Sequence, residues 1–368
     1  MLSSTYSNEK IGFMKKFAYI LFALTLFALG ACRNYQDVQP FDEIDQLMAI
    51  PSHLPLPPVV SFNPANKKAI ILGRKLFFDV TLSANNRISC ASCHLPSKAF
   101  TDGVALSNIG VSGNILHRNS MPLFNLAWAT SGLFWDGGAT NLESLSIGPL
   151  THPDEMAENI LTLPDELAQN PDYRTLFAEA YPEEGGAITI QKVLKALAQY
   201  MRVLVSANAK YDLAVRNPTA KILNDLEIKG LKIFDQKCNS CHDRSQHLFK
   251  DNNFHNNGLD DTFSTDHELA AMGRFRITGK TEDIGKFKTP SLRNLSYTAP
   301  YMHDGRFATL QEVLNHYSSG IKEYPTLAPQ LRNFTLSEDE KQALLAFLKT
   351  LDDESFTKNI AHKPKYLR

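Results

Sequence analysis

The chain has 368 residues, with 38 basic against 39 acidic side chains, a formal net charge of −1, and 43% hydrophobic residues. Near-neutral charge without a basic block argues against a nucleic-acid-binding surface. Once an export signal is removed, the length suits a soluble globular protein with two hydrophobic cores.

The chain opens on export features. From Met14 it reads Met14-Lys15-Lys16, an apolar run from Phe17 to Leu29, then Leu29-Gly30-Ala31-Cys32. Charged, apolar and small-residue regions in that order predict a signal peptide over 1–31, with translation starting at Met14, since residues 1–13 fit no part of it. The apolar run is too short for an ordinary membrane span. A cysteine directly after small residues resembles a bacterial lipoprotein cleavage site, so Cys32 is expected to carry lipid and anchor a periplasmic protein to the membrane. Asp37, Asp42, Glu43 and Asp45, followed by Pro51, Pro55, Pro57 and Pro58, mark 32–62 as a tether.

Helical signals dominate from there and strand signals are weak. A helical approach, Leu72-Gly73-Arg74-Lys75-Leu76-Phe77-Phe78, precedes Cys90-Ala91-Ser92-Cys93-His94. Ile188, Val193, Leu194, Leu197, Met201 and Leu204 have roughly the spacing of an amphipathic helix over Ile188 to Val205 that could bridge two domains. A second approach, Gly230-Leu231-Lys232-Ile233-Phe234, precedes Cys238-Asn239-Ser240-Cys241-His242. Thr309-Leu310-Gln311-Glu312 is a capping box opening a helix whose stripe is Leu310, Val313, Leu314 and Tyr317. Ser337 to Glu340 forms another box, ahead of Leu344, Leu345, Leu348 and Leu351.

The two Cys-x-x-Cys-His motifs carry the chemistry. Two thiols add to the two vinyl groups of one porphyrin while the adjacent histidine reaches the iron, so the motif marks covalent haem c attachment. A zinc site would instead use two cysteine pairs as four ligands. Cys90, Cys93 and His94 therefore hold one haem, and Cys238, Cys241 and His242 a second. Cys32 takes the remaining cysteine, none is left for a disulfide, and both haem attachment and lipoprotein processing occur outside the cytoplasm. The repeat of approach helix, motif and glycine-containing loop reads as an internal duplication. The expected fold is mostly α, with two cytochrome c-type haem domains over 63–220 and 221–352 and a tail over 353–368.

Further motifs carry a resemblance. They are Ile88-Ser89 before the first haem motif, Arg118-Asn119-Ser120, Phe134-Trp135-Asp136-Gly137, Gly148-Pro149-Leu150 through Glu155-Met156, Phe287 through Asn294, and Thr298 through Arg306. In this order, from about Leu72 to Leu351, the chain resembles the bacterial di-haem cytochrome c peroxidase family, which includes MauG. The resemblance implies a peroxide-reducing haem in the N-terminal half and an electron-handling haem in the C-terminal half. It places the acid/base group on Glu155 with His152 as a neighbour, the inter-haem conductor on Trp135, and a calcium ion on Asn119 with the carbonyls of Thr298 and Pro300. A glutamine usual in the family ten residues before that glutamate is replaced here by Leu145.

The second haem's distal ligand separates the branches of the family. Ordinary peroxidases place methionine where this chain has Tyr317, and MauG places tyrosine; Met302 is a rival ligand and His316, off the helix stripe, a weaker one. Many members cap the first iron at rest with a histidine from the loop after the first motif. Here His117 is the sole histidine in that stretch and abuts Arg118, so the first haem is expected to be open in the oxidised protein. The implied activity is reduction of hydrogen peroxide with electrons from a small periplasmic donor, a cytochrome c or cupredoxin. The alternative is a MauG-like oxidase acting on a protein substrate, and a non-catalytic electron carrier stands third. Members are often dimers, so a homodimer is an expectation.

Overall fold

The close crossing of two helix pairs organises the molecule. The computed structural model describes residues 43–263 and 271–367; the signal peptide and Cys32 lie outside the described residues. The helices that matter for the sites are α1 (Glu43–Met48), α2 (Lys67–Phe77), α3 (Ile190–Arg202), α4 (Asp225–Lys237), α5 (Leu310–Asn315) and α6 (Glu338–Lys349). The short antiparallel strands β1 (Phe254–His255) and β2 (Phe287–Lys288) pair Phe254 with Lys288 and His255 with Phe287. No helix among the described residues is long and apolar enough to cross a membrane.

In the first half α2 packs on α3, and in the second α4 packs on α6. Each crossing depends on one glycine. A Cβ on Gly73 would lie 1.9 Å from the Ala196 carbonyl oxygen, and one on Gly230 would lie 1.9 Å from that of Ala343. Only a residue without a Cβ lets the backbones approach this closely. Both glycines lie on the helix that leads into a Cys-x-x-Cys-His motif, so the duplication read in sequence recurs in the packing.

Each crossing has its own apolar core. Phe77, Phe100, Leu197 and Tyr200 belong to the first, and Phe234, Phe249, Leu344 and Phe347 to the second. The amphipathic stretch expected over Ile188 to Val205 is helical over Ile190–Arg202, and Val193, Leu194, Leu197 and Met201 face the first core rather than bridging two. Both capping boxes form: Ser337 Oγ accepts from Glu340 N at 3.3 Å, and Thr309 Oγ1 from Glu312 N at 3.2 Å, with each glutamate returning a bond to the cap N–H at 2.8 Å.

Within the proline-rich stretch expected as a tether, Ile44 and Leu47 pack with Ile70 and Ala361, and Leu54 packs with Trp128 and Leu248. Trp128 Nε1 donates to the Pro55 carbonyl at 3.0 Å. At the other end, Phe356 and His362 pack on Phe100, and the Tyr200 hydroxyl donates to the His362 carbonyl at 2.7 Å.

Candidate haem sites

At both motifs the imidazole is oriented by a backbone carbonyl. His94 Nδ1 lies 2.7 Å from the Phe100 oxygen, and His242 Nδ1 lies 3.1 Å from the Pro290 oxygen. A carbonyl at Nδ1 fixes the tautomer that leaves Nε2 free for a metal. Burial keeps both rings neutral, pushing His94 below its ordinary value and His242 down to about 4.

The thiols of both motifs sit in surroundings that disfavour their ionisation. Burial, and then the neighbouring thiol, push Cys90 and Cys238 up to about 12, while burial pushes Cys93 up to about 11. The donor set fits a prosthetic group attached through sulphur and ligated by imidazole.

The second motif lines an open cavity. Cys238, Cys241 and His242 share it with Tyr317, Met302, Trp135, Asn119, Thr298 and Pro300. Apart from His316, the weaker ligand candidate, the residues expected at the second haem and the calcium site line one space. Trp135 is buried, and its Nε1 donates to the Asn119 carbonyl at 2.9 Å. Asn119 Nδ2 donates to the Val104 carbonyl at 2.8 Å, and its backbone N–H to the His303 carbonyl at 2.8 Å.

α5 ends at Asn315 and its chain continues as a π-helical turn over His316–Gly320. Such turns often occur at functional sites. This turn carries Tyr317 into the cavity, where burial pushes its phenol up and the Asn257 amide, 3.5 Å away, pulls the other way. Met302, with a left-handed φ of 75°, is also there, and Asn257 Nδ2 lies 3.5 Å from its sulphur. His316 packs edge-on against the Tyr317 ring, 5.3 Å between centroids, with its Nε2 3.0 Å from the Asn257 carbonyl oxygen. Asn257 is a residue that sequence reasoning missed; it lies in a polar Asn-Asn-Gly run with no local signal.

At the first site, Glu155 is close enough to Cys90 and Cys93 for its charge to oppose ionisation of both. Its turn is clamped by the preceding loop: Val111 N donates to the Glu155 carbonyl at 2.7 Å, while Ser112 Oγ and Asn114 Nδ2 each bond Asp154 at 2.8 Å. Burial raises the Glu155 carboxyl above the usual range, partly offset by the charge of His152. No side-chain hydrogen bond joins Glu155 to another described residue. His152 is exposed, with Nδ1 accepting from Asp154 N at 3.1 Å. Leu145 is buried in the first core, and His117 is exposed.

The comparisons with known proteins agree with this chemistry. The family profile for di-haem cytochrome c peroxidase matches residues 67–220. The chain is 37% identical to the methylamine utilization protein MauG of Methylorubrum extorquens, over 79% of this chain and 80% of that protein. It is 31% identical to the cytochrome c551 peroxidase of Nitrosomonas europaea, over 81% and 84%. Among solved structures, a MauG-like protein associated with microbial copper homeostasis superposes with a TM-score of 0.77 at 33% identity, covering 86% of this chain and 98% of that one.

Proposed function

The chain belongs to the di-haem cytochrome c peroxidase family, and from that premise we propose that it reduces hydrogen peroxide at the first haem site with electrons received through the second. Membership makes it an oxidoreductase with two c-type haems. The observation that carries the peroxide reading is Glu155, a half-buried carboxylate whose side chain hydrogen-bonds no described residue, held by a clamped turn within electrostatic reach of Cys90 and Cys93.

Haem c, joined to Cys90 and Cys93 and ligated by His94, supplies a redox-active iron at this position. Glu155 takes a proton from one peroxide oxygen and gives it to the other, the general acid-base step that peroxide cleavage needs. Leu145 offers no amide to steady the carboxylate, so its affinity for the proton is set by burial and by the charge of His152. Trp135 is the residue we assign to conduction between the haems. Asn119 and the carbonyls of Thr298 and Pro300 supply the oxygen donors a calcium ion takes, with water completing the shell.

Tyr317 supports a second reading. A phenol is a hard donor that lowers an iron potential where a thioether raises it, which suits a MauG-like oxidase drawing electrons from a protein substrate. Peroxide turnover by the purified holoprotein with reduced cytochrome c separates the two: rapid turnover supports the peroxidase, and none sinks it. We also place the protein in the periplasm, anchored through lipid on Cys32. Cys32→Ala should release it from membranes; unchanged membrane partition counts against the anchor.

A further inference from the structure

Lys288 is a buried lysine on the wall of the second cavity. It lies on β2 with its backbone N–H donating to the Trp135 carbonyl at 2.8 Å, which pins the residue beside the tryptophan. Its side chain lines the cavity that holds Cys238, Cys241 and His242, yet the residue is only 9% exposed. No described residue accepts a hydrogen bond from its ammonium.

A second amine compounds the imbalance. Among the described residues the Lys250 ammonium bonds the Asn125 carbonyl alone, at 3.4 Å, and burial followed by the charge of Lys288 brings it down to about 7. The acid that offsets Lys288 is Asp251. That carboxylate is already engaged by His255 Nε2 at 2.6 Å and by Asn253 N at 2.9 Å. The one carboxylate that offsets Lys288 is thus already bonded, and the charge acting on half-buried Lys250 is that of Lys288 itself. The Lys288 ammonium faces this cavity with its one offsetting carboxylate already bonded, so the wall can take a further negative charge.

We propose that Lys288 binds a carboxylate of the prosthetic group seated in this cavity, a propionate of the second haem, with Lys250 reinforcing the positive field behind it. The proposal rests on the reading of this cavity as the seat of that haem. A fixed cation at the propionate edge favours the reduced, less positive iron. Lys288 is accordingly a positioning residue that raises the second haem's potential against the lowering effect of a phenol ligand.

The test is a spectroelectrochemical titration of both haems in the holoprotein, joined to redox-difference infrared spectra with haem carrying ¹³C-labelled propionates. Lys288→Met should make the second haem harder to reduce by about tenfold, ~59 mV for one electron, leave the first haem unchanged, and shift a labelled carboxylate band. Lys288→Arg should hold the potential near wild type while still moving the band, which keeps the test open if the methionine variant does not mature. An unmoved potential and band in Lys288→Met, or an unmoved band in Lys288→Arg, overturns the proposal and leaves Lys288 paired with Asp251 alone. A wild-type potential that follows chloride or phosphate concentration, with no change in the labelled band, overturns it in favour of a solvent anion. Intact mass separates failure of the premise: protein lacking haem at Cys238 and Cys241 would refute the cavity reading itself.

Discussion

Met302 and Tyr317 meet at one amide: Asn257 Nδ2 lies 3.5 Å from the methionine sulphur and 3.5 Å from the phenol oxygen. Both candidate ligands therefore serve one corner of the second cavity, and a single donor contacts each. The thioether is a soft, neutral ligand, and the phenol, once ionised, a hard anionic one. Which of them takes the distal position decides whether this haem accepts electrons readily or favours the oxidised state.

Tyr317→Phe is expected to change the second haem's electronic and EPR spectra while leaving the first haem's unchanged. Tyr317→Met should raise the second potential and move the protein toward plain peroxidase behaviour. Met302→Ala should leave the spectrum as it is. If Met302→Ala alters the spectrum and Tyr317→Phe does not, the methionine is the ligand and the MauG-like reading loses its main support.

Glu155→Gln should retain both haems and lose roughly a hundredfold or more in peroxide turnover, the usual worth of a general acid-base group. Burial raises the Glu155 pKa, so the carboxylate that must accept a proton is depleted as pH falls, and depletion begins above the ordinary glutamate value of about 4.3. The acid limb of kcat/KM should sit above that value in the wild type and disappear in Glu155→Gln. Unchanged turnover in the variant would shift the role to His152 or water.

The parts of the site legible in sequence were those written locally. A Cys-x-x-Cys-His motif places thiols and imidazole together by covalent spacing, and the two capping boxes are three-residue relationships. The stripe from Leu310 aimed Tyr317 at the second cavity even though the α-helix stops at Asn315, because the π-helical turn continues the chain on the same side. What escaped depends on contacts distant in sequence. Asn257 reaches Met302 across 45 residues and Tyr317 across 60. Pro51 to Pro58 has linker composition, yet His53 is bonded to Asp212, 159 residues away. No periodicity encodes such a partner.

The oxidised enzyme should react with peroxide at once. His117, the histidine available to cap the first iron, is exposed and directly precedes Arg118, whose Nη1 bonds Asp136 Oδ2 at 2.7 Å. Stopped-flow mixing of the fully oxidised protein with peroxide should show no lag, and His117→Ala should match wild type. A bis-histidine first haem that reacts only after partial reduction would refute this.

The Asp212–Arg293 pair behind the second motif should be the most costly ion pair to break. Arg293 Nη2 and Nη1 bond the two carboxylate oxygens at 2.6 and 2.8 Å, His53 Nε2 lies 3.0 Å away, and both charged side chains are 0% exposed. Arg293 also donates to the His247 carbonyl at 2.9 Å, five residues after the ligand His242. Removing one partner leaves the other charge buried, so Asp212→Leu should cost about 3–5 kcal/mol in chemical denaturation. Burial alone would raise the Asp212 pKa, but the hydrogen bonds and charge of Arg293 outweigh it and the net shift is downward. A depressed folded-state pKa means that the pair's stabilisation is complete above the unfolded value of about 3.9 and is lost as pH falls below it. Burial also lowers His53, which adds a separate loss starting as pH drops through about 6.5. Wild-type stability should therefore fall on acidification through both ranges; Asp212→Leu should lessen the lower loss, which it shares with Asp251 and Asp304, and His53→Gln the upper one, which it shares with His242, His303 and His362. A His53→Gln profile with an undiminished upper loss would assign it to those other histidines.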